Sequence, residues 1–462
     1  RYFDRITRPE QIMDALPRAL AVLHDPATCG PATLAFCQDV QAEAHDYPAE
    51  FFAPRLWSLR RPGADADELD ALVDALRQAQ RPLLIAGGGV LYSGAETALA
   101  RFAEEHGVAV AETQAGKGAM PWDHPLALGS IGVTGSSAAN AAAERADLVV
   151  GIGTRLGDFT TGSRSLFAQA RLVQVNVQAC DAHKHAALAV VGDARRTLED
   201  LQQRLVDWRA PDEPCRAQEI QAWQRTVDAA TSAEDDTTQP SDAEVIGRVQ
   251  AAFDDDAVVV CAAGGLPGEL HKLWRCRRPD GYHLEYGYSC MGYEIAGGLG
   301  VKMAVPDREV VVMVGDGSYL MLNSELATSV MLGRKLVVVV LDNRGFGCID
   351  RLQHATGGAG FNNLLEDTEH AELPAIDFAA HAASLGAHAE RVGNLGALSA
   401  ALARARNATT TSVVVIETNP RATTEAGGWW WDVAVPEVST RTEVTAARRD
   451  YEAGVRRKRD RT

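Results

Sequence analysis

The sequence predicts an α/β protein built on doubly wound parallel sheets, and three observations carry that reading. Two short β-branched runs, Val310–Val314 and Leu336–Leu341, are apolar throughout, as strands covered on both faces of a parallel sheet are. The stretch between them has helical spacing, which makes a βαβ unit. Further upstream, apolar runs and helix-like segments alternate from about residue 67 to residue 205, the pattern of a second α/β domain.

With 462 residues the chain is too long for one core, so several domains are expected. Its 46% hydrophobic and 23% charged residues are those of a globular protein. A net charge of −17 argues against nucleic acid or an anionic membrane as partner, and no apolar run is long enough to span a bilayer. The 8 cysteines show no CxxC and no regular spacing, so they are read as reduced, mostly packing cysteines of a cytoplasmic protein. The opening RYFDRITRPEQ has neither an initiator Met nor a signal peptide, and the chain is read as beginning inside a longer protein.

In order, Pro9–Leu23 reads as a helix with Ile12, Met13, Leu16 and Leu20 on one side, and Gly30–Val40 as a turn into a strand; residues 1–50 are too few for a domain. Leu56–Ala64 is a basic linker. A helix over Asp67–Ala79 leads into RPLLIAGGGV, where Gly87, Gly88 and Gly89 do not form GxGxxG and are read as a tight turn. VAVAET (Val108–Thr113), a turn (Lys117–Pro125), a helix near Ser137–Ala146 and strands at Asp147–Gly153 and Arg171–Val177 complete a Rossmann-like unit over 66–205. Residues 206–240 are polar and read as a linker.

A third domain, 241–425, opens with a helix over Asp242–Phe253 and the strand Val258–Cys261. Ala263, Gly264 and Gly265 follow that strand and precede a helix, a potential phosphate cradle. In the loop GYHLEYGYSCMGYE, the residues His283, Glu285, Tyr286 and Tyr288 are polar and aromatic where a buried turn would be apolar, so they are candidates for substrate contact as well as for structural hydrogen bonds. Beyond Asp350 come a polar loop, a helix over Asp377–Leu385 and the strand Val413–Thr418. The arm 426–462 holds Trp429, Trp430 and Trp431, read as a packed arm or subunit contact, and ends in a basic run expected to be solvated.

The chemistry concentrates in Val310–Asp350. Its helix is expected to start at Asn323 or Ser324, to face Leu326, Val330 and Met331 inward, and to end at Gly333. Both strands of a βαβ unit end on one sheet edge, so Asp316 and Asn343 meet there as hard oxygen ligands suited to Mg²⁺. Gly317 would let a diphosphate approach the backbone, flanked by Gly315 and Ser318. GDG or DN alone is an ordinary turn signal; joined across one βαβ unit they are far more specific.

This segment resembles the motif of thiamin diphosphate-dependent enzymes, GDG followed after a helix and strand by a polar pair ending in Asn. Asp342 departs from the first Asn of that pair. The resemblance implies a thiamin diphosphate-binding fold with Mg²⁺ held by Asp316, Asn343 and the Gly345 carbonyl. It implies that Met291 props the cofactor into a bent shape, that residues 1–50 are the tail of a mostly missing pyrimidine-binding domain, and that the Glu activating the cofactor lies before residue 1. GKGAMPWDHP and ADLVVGIGTR resemble the central domain of the acetohydroxyacid synthase group.

EYGYSCMGYEIAGGLG, GDGSYLMLNSELATSVMLG and LDNRGFGCI resemble the trihydroxycyclohexane-1,2-dione hydrolases of myo-inositol catabolism more than the acetolactate synthases. This implies hydrolytic cleavage of a cyclic dione to an open-chain deoxyuronic acid by a homodimer or homotetramer. Two alternatives stay open: a 2-oxo acid carboligase or decarboxylase, and an inactive cofactor-binding chain. Glu285, His283 and Tyr288 are the candidates for catalysis within the chain.

Overall fold

A computed structural model describes residues 1–285, 287–373 and 375–459, so Tyr286 and the last residues of the basic tail lie outside the described residues. Every strand pairing among the described residues is parallel. At the N-terminus, β1 (Tyr2–Ile6) and β2 (Ala32–Phe36) form a two-stranded sheet on which the helix Ile12–His24 packs, with Ile6, Ala15 and Val40 buried between them.

The second unit contains β3 (Pro82–Ala86), β4 (Ala109–Glu112), β5 (Ala127–Ser130), β6 (Leu148–Ile152), β7 (Arg171–Asn176) and β8 (Leu188–Val191), in the spatial order β5-β4-β3-β6-β7-β8. This is the doubly wound dinucleotide-binding order, whose switch point lies between β3 and β6. Here that switch point is shut by backbone. Gly87 N and Gly89 N donate to Ile152 O and Gly153 O at 2.9 Å, and a Cβ on Gly153 would come within 2.5 Å of Gly89 Cα. The Gly87–Gly89 run thus lets two strand ends pack directly. Gly153 also has φ +60°, so Gly153→Ala is expected to lose roughly 2–4 kcal/mol in urea unfolding; an unchanged midpoint would refute this close-packing account.

The third unit contains β9 (Val258–Cys261), β10 (Tyr282–Leu284), β11 (Val310–Gly315), β12 (Val337–Asp342), β13 (His388–Val392) and β14 (Ser412–Glu417), ordered β10-β9-β11-β12-β14-β13. From β9 the chain adds β10 on one side and β11 on the other, so the strand order reverses between β9 and β11 and places this sheet's switch point at their carboxyl ends. The valines of β9, β11 and β12 are buried on both faces.

Three sequence expectations need correction. The β11–β12 crossover holds two short helices, Asp316–Met321 and Glu325–Met331, because the chain turns helical directly at the end of β11. On the second of these Leu326 is buried as expected but Met331 is exposed, and Ser329 takes the inner position, bonded to Thr411 Oγ1 at 2.8 Å. Residues 206–240 contain the helix Arg216–Thr231, whose Trp223 and Val227, one turn apart, are buried in the core that the two six-stranded sheets share. Of the cysteines only Cys261 and Cys276 are buried; all eight are free thiols.

The two large units meet through buried polar groups. Lys117 Nζ donates to His271 O at 2.9 Å, Ser130 Oγ donates to the same carbonyl, and Thr134 Oγ1 lies 2.9 Å from His271 Nδ1. Burial, reinforced by the Lys117 charge, pushes the His271 pKa down to about 3. An unfolded chain would protonate this ring near pH 6.5, so the group destabilises the native state progressively as pH falls from 6.5 towards 3. About 2 kcal/mol of stability should be lost from this residue between pH 7 and pH 5. Urea unfolding of His271→Gln should show an acid loss smaller by that amount; identical pH profiles would exclude His271 as the source.

The chain closes on its central unit. The Trp429 indole N–H donates to Ser165 Oγ (2.9 Å), Trp431 donates to Asp158 (2.5 Å), Gly428 N donates to Gly135 O (2.7 Å), and the helix Thr442–Arg459 follows. Among the described residues, no helix is long and apolar enough to cross a membrane.

Candidate active site

At the carboxyl ends of β9, β11 and β12 the sheet presents turns rather than bulky side chains, and register places Gly315 beside Leu341 across the β11–β12 pair. Asp316 follows β11 directly. It is buried, and its Oδ2 accepts the Gly345 N–H at 2.9 Å. Gly345 must be glycine, since its φ is +146° and a Cβ there would come within 2.9 Å of Leu364 Cα. Phe346 N donating to Asn363 O (2.7 Å) and Leu365 N donating to Arg344 O (3.0 Å) hold that turn.

Asn343 meets this pair in one of two amide settings. With its oxygen inward, it lies 3.2 Å from Asp316 Oδ1 and 2.7 Å from Gly345 O, and three oxygens converge with no proton between them; with its NH₂ inward, the amide donates to both. Octahedral oxygen ligands at Mg²⁺ distances lie about 3 Å apart along each edge, so the first setting has the spacing a small divalent ion requires. Among the described residues no group of three or more His, Cys, Asp or Glu gathers at one point. A single carboxylate with an amide and a carbonyl suits an ion that takes its remaining ligands from phosphate and water.

The electrostatics point the same way. Burial, and then the charge of Asp342, push the Asp316 pKa up to about 6. Asp242 is pushed up to about 7 by burial, with Arg351 opposing and Glu269 and Asp316 reinforcing the shift. A divalent cation would relieve this crowding of acids. Asp342 itself turns aside, accepting from Arg344 N (3.3 Å) and lying 3.5 Å from Arg391, so its departure from the usual Asn leaves the oxygen triplet intact.

The residues singled out after β9 stand across the gap from Asp316. Gly264 is exposed, with φ +89°, and the helix Leu266–Leu273 follows Gly265. The sequence reading missed Arg351, whose guanidinium occupies the space a Gly265 side chain would fill and donates to Pro420 O. No spacing signal links it to the cradle. Gly317 plays a different part from the one expected. A Cβ there would meet the Phe346 ring at 2.8 Å, so the missing side chain makes room for Phe346.

The loop after β10 joins the same edge. Met291 is half-buried and precedes Gly292, whose φ of +87° starts the helix Tyr293–Ala304. Glu285 accepts from Tyr288 N and Cys290 N, both at 2.8 Å. Its partial burial acts to raise the pKa, and these N–H donors outweigh that and lower it, so Glu285 fastens its own loop as a carboxylate. His283 Nε2 lies 2.7 Å from Tyr293 OH, and burial lowers its pKa. Tyr288 is almost fully exposed. The structure therefore gathers Asp316, Asn343 and Gly345 at one point, sets Ala263–Gly265, Met291 and Ser318 around it, and leaves Tyr288 facing solvent.

Comparison with known proteins identifies both large units. Residues 69–201 match the family model "Thiamine pyrophosphate enzyme, central domain", and residues 262–417 match "Thiamine pyrophosphate enzyme, C-terminal TPP binding domain". The 3D-(3,5/4)-trihydroxycyclohexane-1,2-dione hydrolase of Geobacillus thermodenitrificans (strain NG80-2) is 41% identical over 484 residues, covering 99% of this chain and 76% of that protein. The protein of the same name from Bacillus cereus (strain AH820) is 40% identical over 490 residues, covering 98% of this chain and 75% of its own length. With similarity of that extent and the diphosphate-binding unit's geometry in hand, the chain belongs to the thiamin diphosphate-dependent enzymes, in the family of the trihydroxycyclohexane-dione hydrolases.

Proposed function

We propose that this protein, with thiamin diphosphate and Mg²⁺, hydrolytically opens the ring of 3D-(3,5/4)-trihydroxycyclohexane-1,2-dione to 5-deoxy-glucuronate, a step of myo-inositol catabolism in the cytoplasm. The observation that carries the proposal is the meeting of the Asp316 carboxylate, the Asn343 amide and Gly345 O at the carboxyl ends of β11 and β12, beside the switch point of the third sheet, in a chain about 40% identical to enzymes named for that substrate. Held there, thiamin diphosphate would supply nucleophilic carbon for a substrate carbonyl and an electron sink for cleavage of the adjacent C–C bond.

The chain's own residues do the holding. Asp316, Asn343 and Gly345 would hold the metal, Ala263, Gly264 and Gly265 would line the diphosphate site on its other side, and Arg351 would add positive charge beside those glycines. Met291 would pack against the cofactor from the neighbouring loop. The exposed apolar Leu320, Met321, Leu322 and Phe346 beside the site support a homodimer or homotetramer, because water-exposed apolar side chains gathered at a site edge are covered in an assembly.

The test is product analysis of the protein supplied with thiamin diphosphate, Mg²⁺ and either the cyclic dione or pyruvate. Formation of the open-chain deoxyuronic acid from the dione, with none when Mg²⁺ is chelated, is the expected result. Carbon–carbon ligation or decarboxylation of pyruvate in its place would assign a 2-oxo acid enzyme.

A further inference from the structure

The mechanism outlined above makes no use of Glu294, although it is among the most deeply buried acids of the third unit. It is the second residue of the helix Tyr293–Ala304, inside a run whose other inward residues, Ile295, Gly297, Gly298 and Leu299, are apolar or glycine. A carboxyl in that position carries a large desolvation cost unless partners meet it. Its partners come from three separate segments. Gly292 N donates to Oε2 at 3.0 Å, from the turn that carries Met291. The Ser318 hydroxyl donates to it, 2.8 Å from either oxygen, from the turn after β11. The Ala263 N–H bears on it from the segment after β9. Ser318 Oγ closes the ring by accepting from Gly292 N at 2.8 Å.

β9 and β11 are neighbours in the sheet, and the gap between their carboxyl ends is the switch point. The ladder between them ends at Val260 and Val312, short of the turns that follow. In the second unit the equivalent gap is closed by glycine backbone; in the third it stays open, and one side chain reaches across its floor.

We propose that Glu294 is a positioning residue which ties the turns at Ala263, Gly292 and Ser318 into one rigid cradle, so that diphosphate anchor and Met291 keep a fixed spacing before any ligand arrives. This rests on the functional reading above. Preorganised groups of this kind raise affinity by removing the ordering cost from the binding step. Burial raises the Glu294 pKa while the surrounding N–H and O–H donors oppose the rise, as expected of an acceptor-only carboxylate at the meeting point of donors.

The simpler role is that Glu294 serves its own helix, where an acid in the first turn is favourable anyway. The two roles differ in reach. Glu294→Gln keeps the size but removes the charge and replaces one acceptor oxygen with an NH₂ among donors, so the ties it makes should weaken. In the cofactor-free protein, hydrogen exchange read by mass spectrometry should speed up together in peptides covering 261–265, 290–293 and 316–319. Calorimetry should show thiamin diphosphate, with Mg²⁺ present, binding roughly tenfold more weakly or worse, as for other groups that act through a ligand-holding shell. Should Glu294→Gln lose its native circular dichroism, Ser318→Ala removes one tie and leaves Glu294 in place, and it should still speed exchange at 290–293. Faster exchange confined to 290–293 in Glu294→Gln, or no change at 290–293 in Ser318→Ala, would overturn the proposal in favour of local helix capping. Wild-type protein that binds no thiamin diphosphate would instead overturn the functional reading, and the exchange arm would still decide the tie.

Discussion

Asp316→Ala and Asn343→Ala are each expected to abolish measurable Mg²⁺-dependent binding of thiamin diphosphate while leaving the fold intact. With the Asn343 amide oxygen inward, each removes one oxygen from a set in which Asn343 stands 3.2 Å from Asp316 Oδ1 and 2.7 Å from Gly345 O, close to the edge of an octahedron. Loss of groups that merely orient ligands costs about 10–100-fold, so loss of a ligand should reach the upper end or beyond. The apo protein should not suffer in proportion. Burial and Asp342 hold the Asp316 carboxyl well above the usual carboxylate range, so its charged form is a cost to the metal-free fold. Asp316→Ala is therefore expected to melt near wild type, or above it, without Mg²⁺, and to lose the increment that Mg²⁺ with thiamin diphosphate gives the parent. Calorimetry giving both variants an affinity within a few-fold of wild type would remove the metal assignment.

Met291→Ala separates anchoring from reactivity. The diphosphate anchor lies on other segments, so cofactor affinity should fall only a few-fold, whereas turnover of the dione should fall by an order of magnitude or more. Each tenfold in rate corresponds to about 1.4 kcal/mol at the transition state, well within what a displaced reacting group forfeits. Removal of a buried Met costs about 2–5 kcal/mol, and Met291 is only half-buried, so a folded variant is expected and circular dichroism must confirm it. Parallel losses of affinity and turnover would reduce Met291 to a packing residue.

Sequence patterning made the interior legible and the margins illegible. The strands β3, β6, β9, β11, β12 and β14 lie inside their sheets, and their unbroken apolar runs announce them. The four edge strands β5, β8, β10 and β13 escape the reading, because each is short or has exposed positions that blur the pattern: HAERV in β13 has only Val392 fully buried. The helix Arg216–Thr231 hides for a similar reason, since two buried residues in sixteen give almost no periodic signal. At the site, Asp316, Asn343 and Gly345 could be paired because one crossover fixes where both strand ends fall. Arg351 and Glu294 could not. Their partners, Gly265 for the first and Ala263 and Ser318 for the second, lie on other strands, and only tertiary folding sets those distances.

The tryptophan arm carries a consequence for biogenesis. Trp429 and Trp431 bond to residues 264 and 273 positions earlier in the chain, so this seam has among the longest sequence separations in the molecule. During synthesis the surface around Asp158–Ser165 leaves the ribosome long before the arm that covers it. For that interval the central unit exposes an unfinished, partly apolar face, the condition in which a nascent chain engages chaperones or a neighbouring copy of itself. Substitutions at Asp158, Ser165 or Trp429 should therefore show themselves in cells as slow maturation and lowered yield, even where the purified survivors turn over at the normal rate.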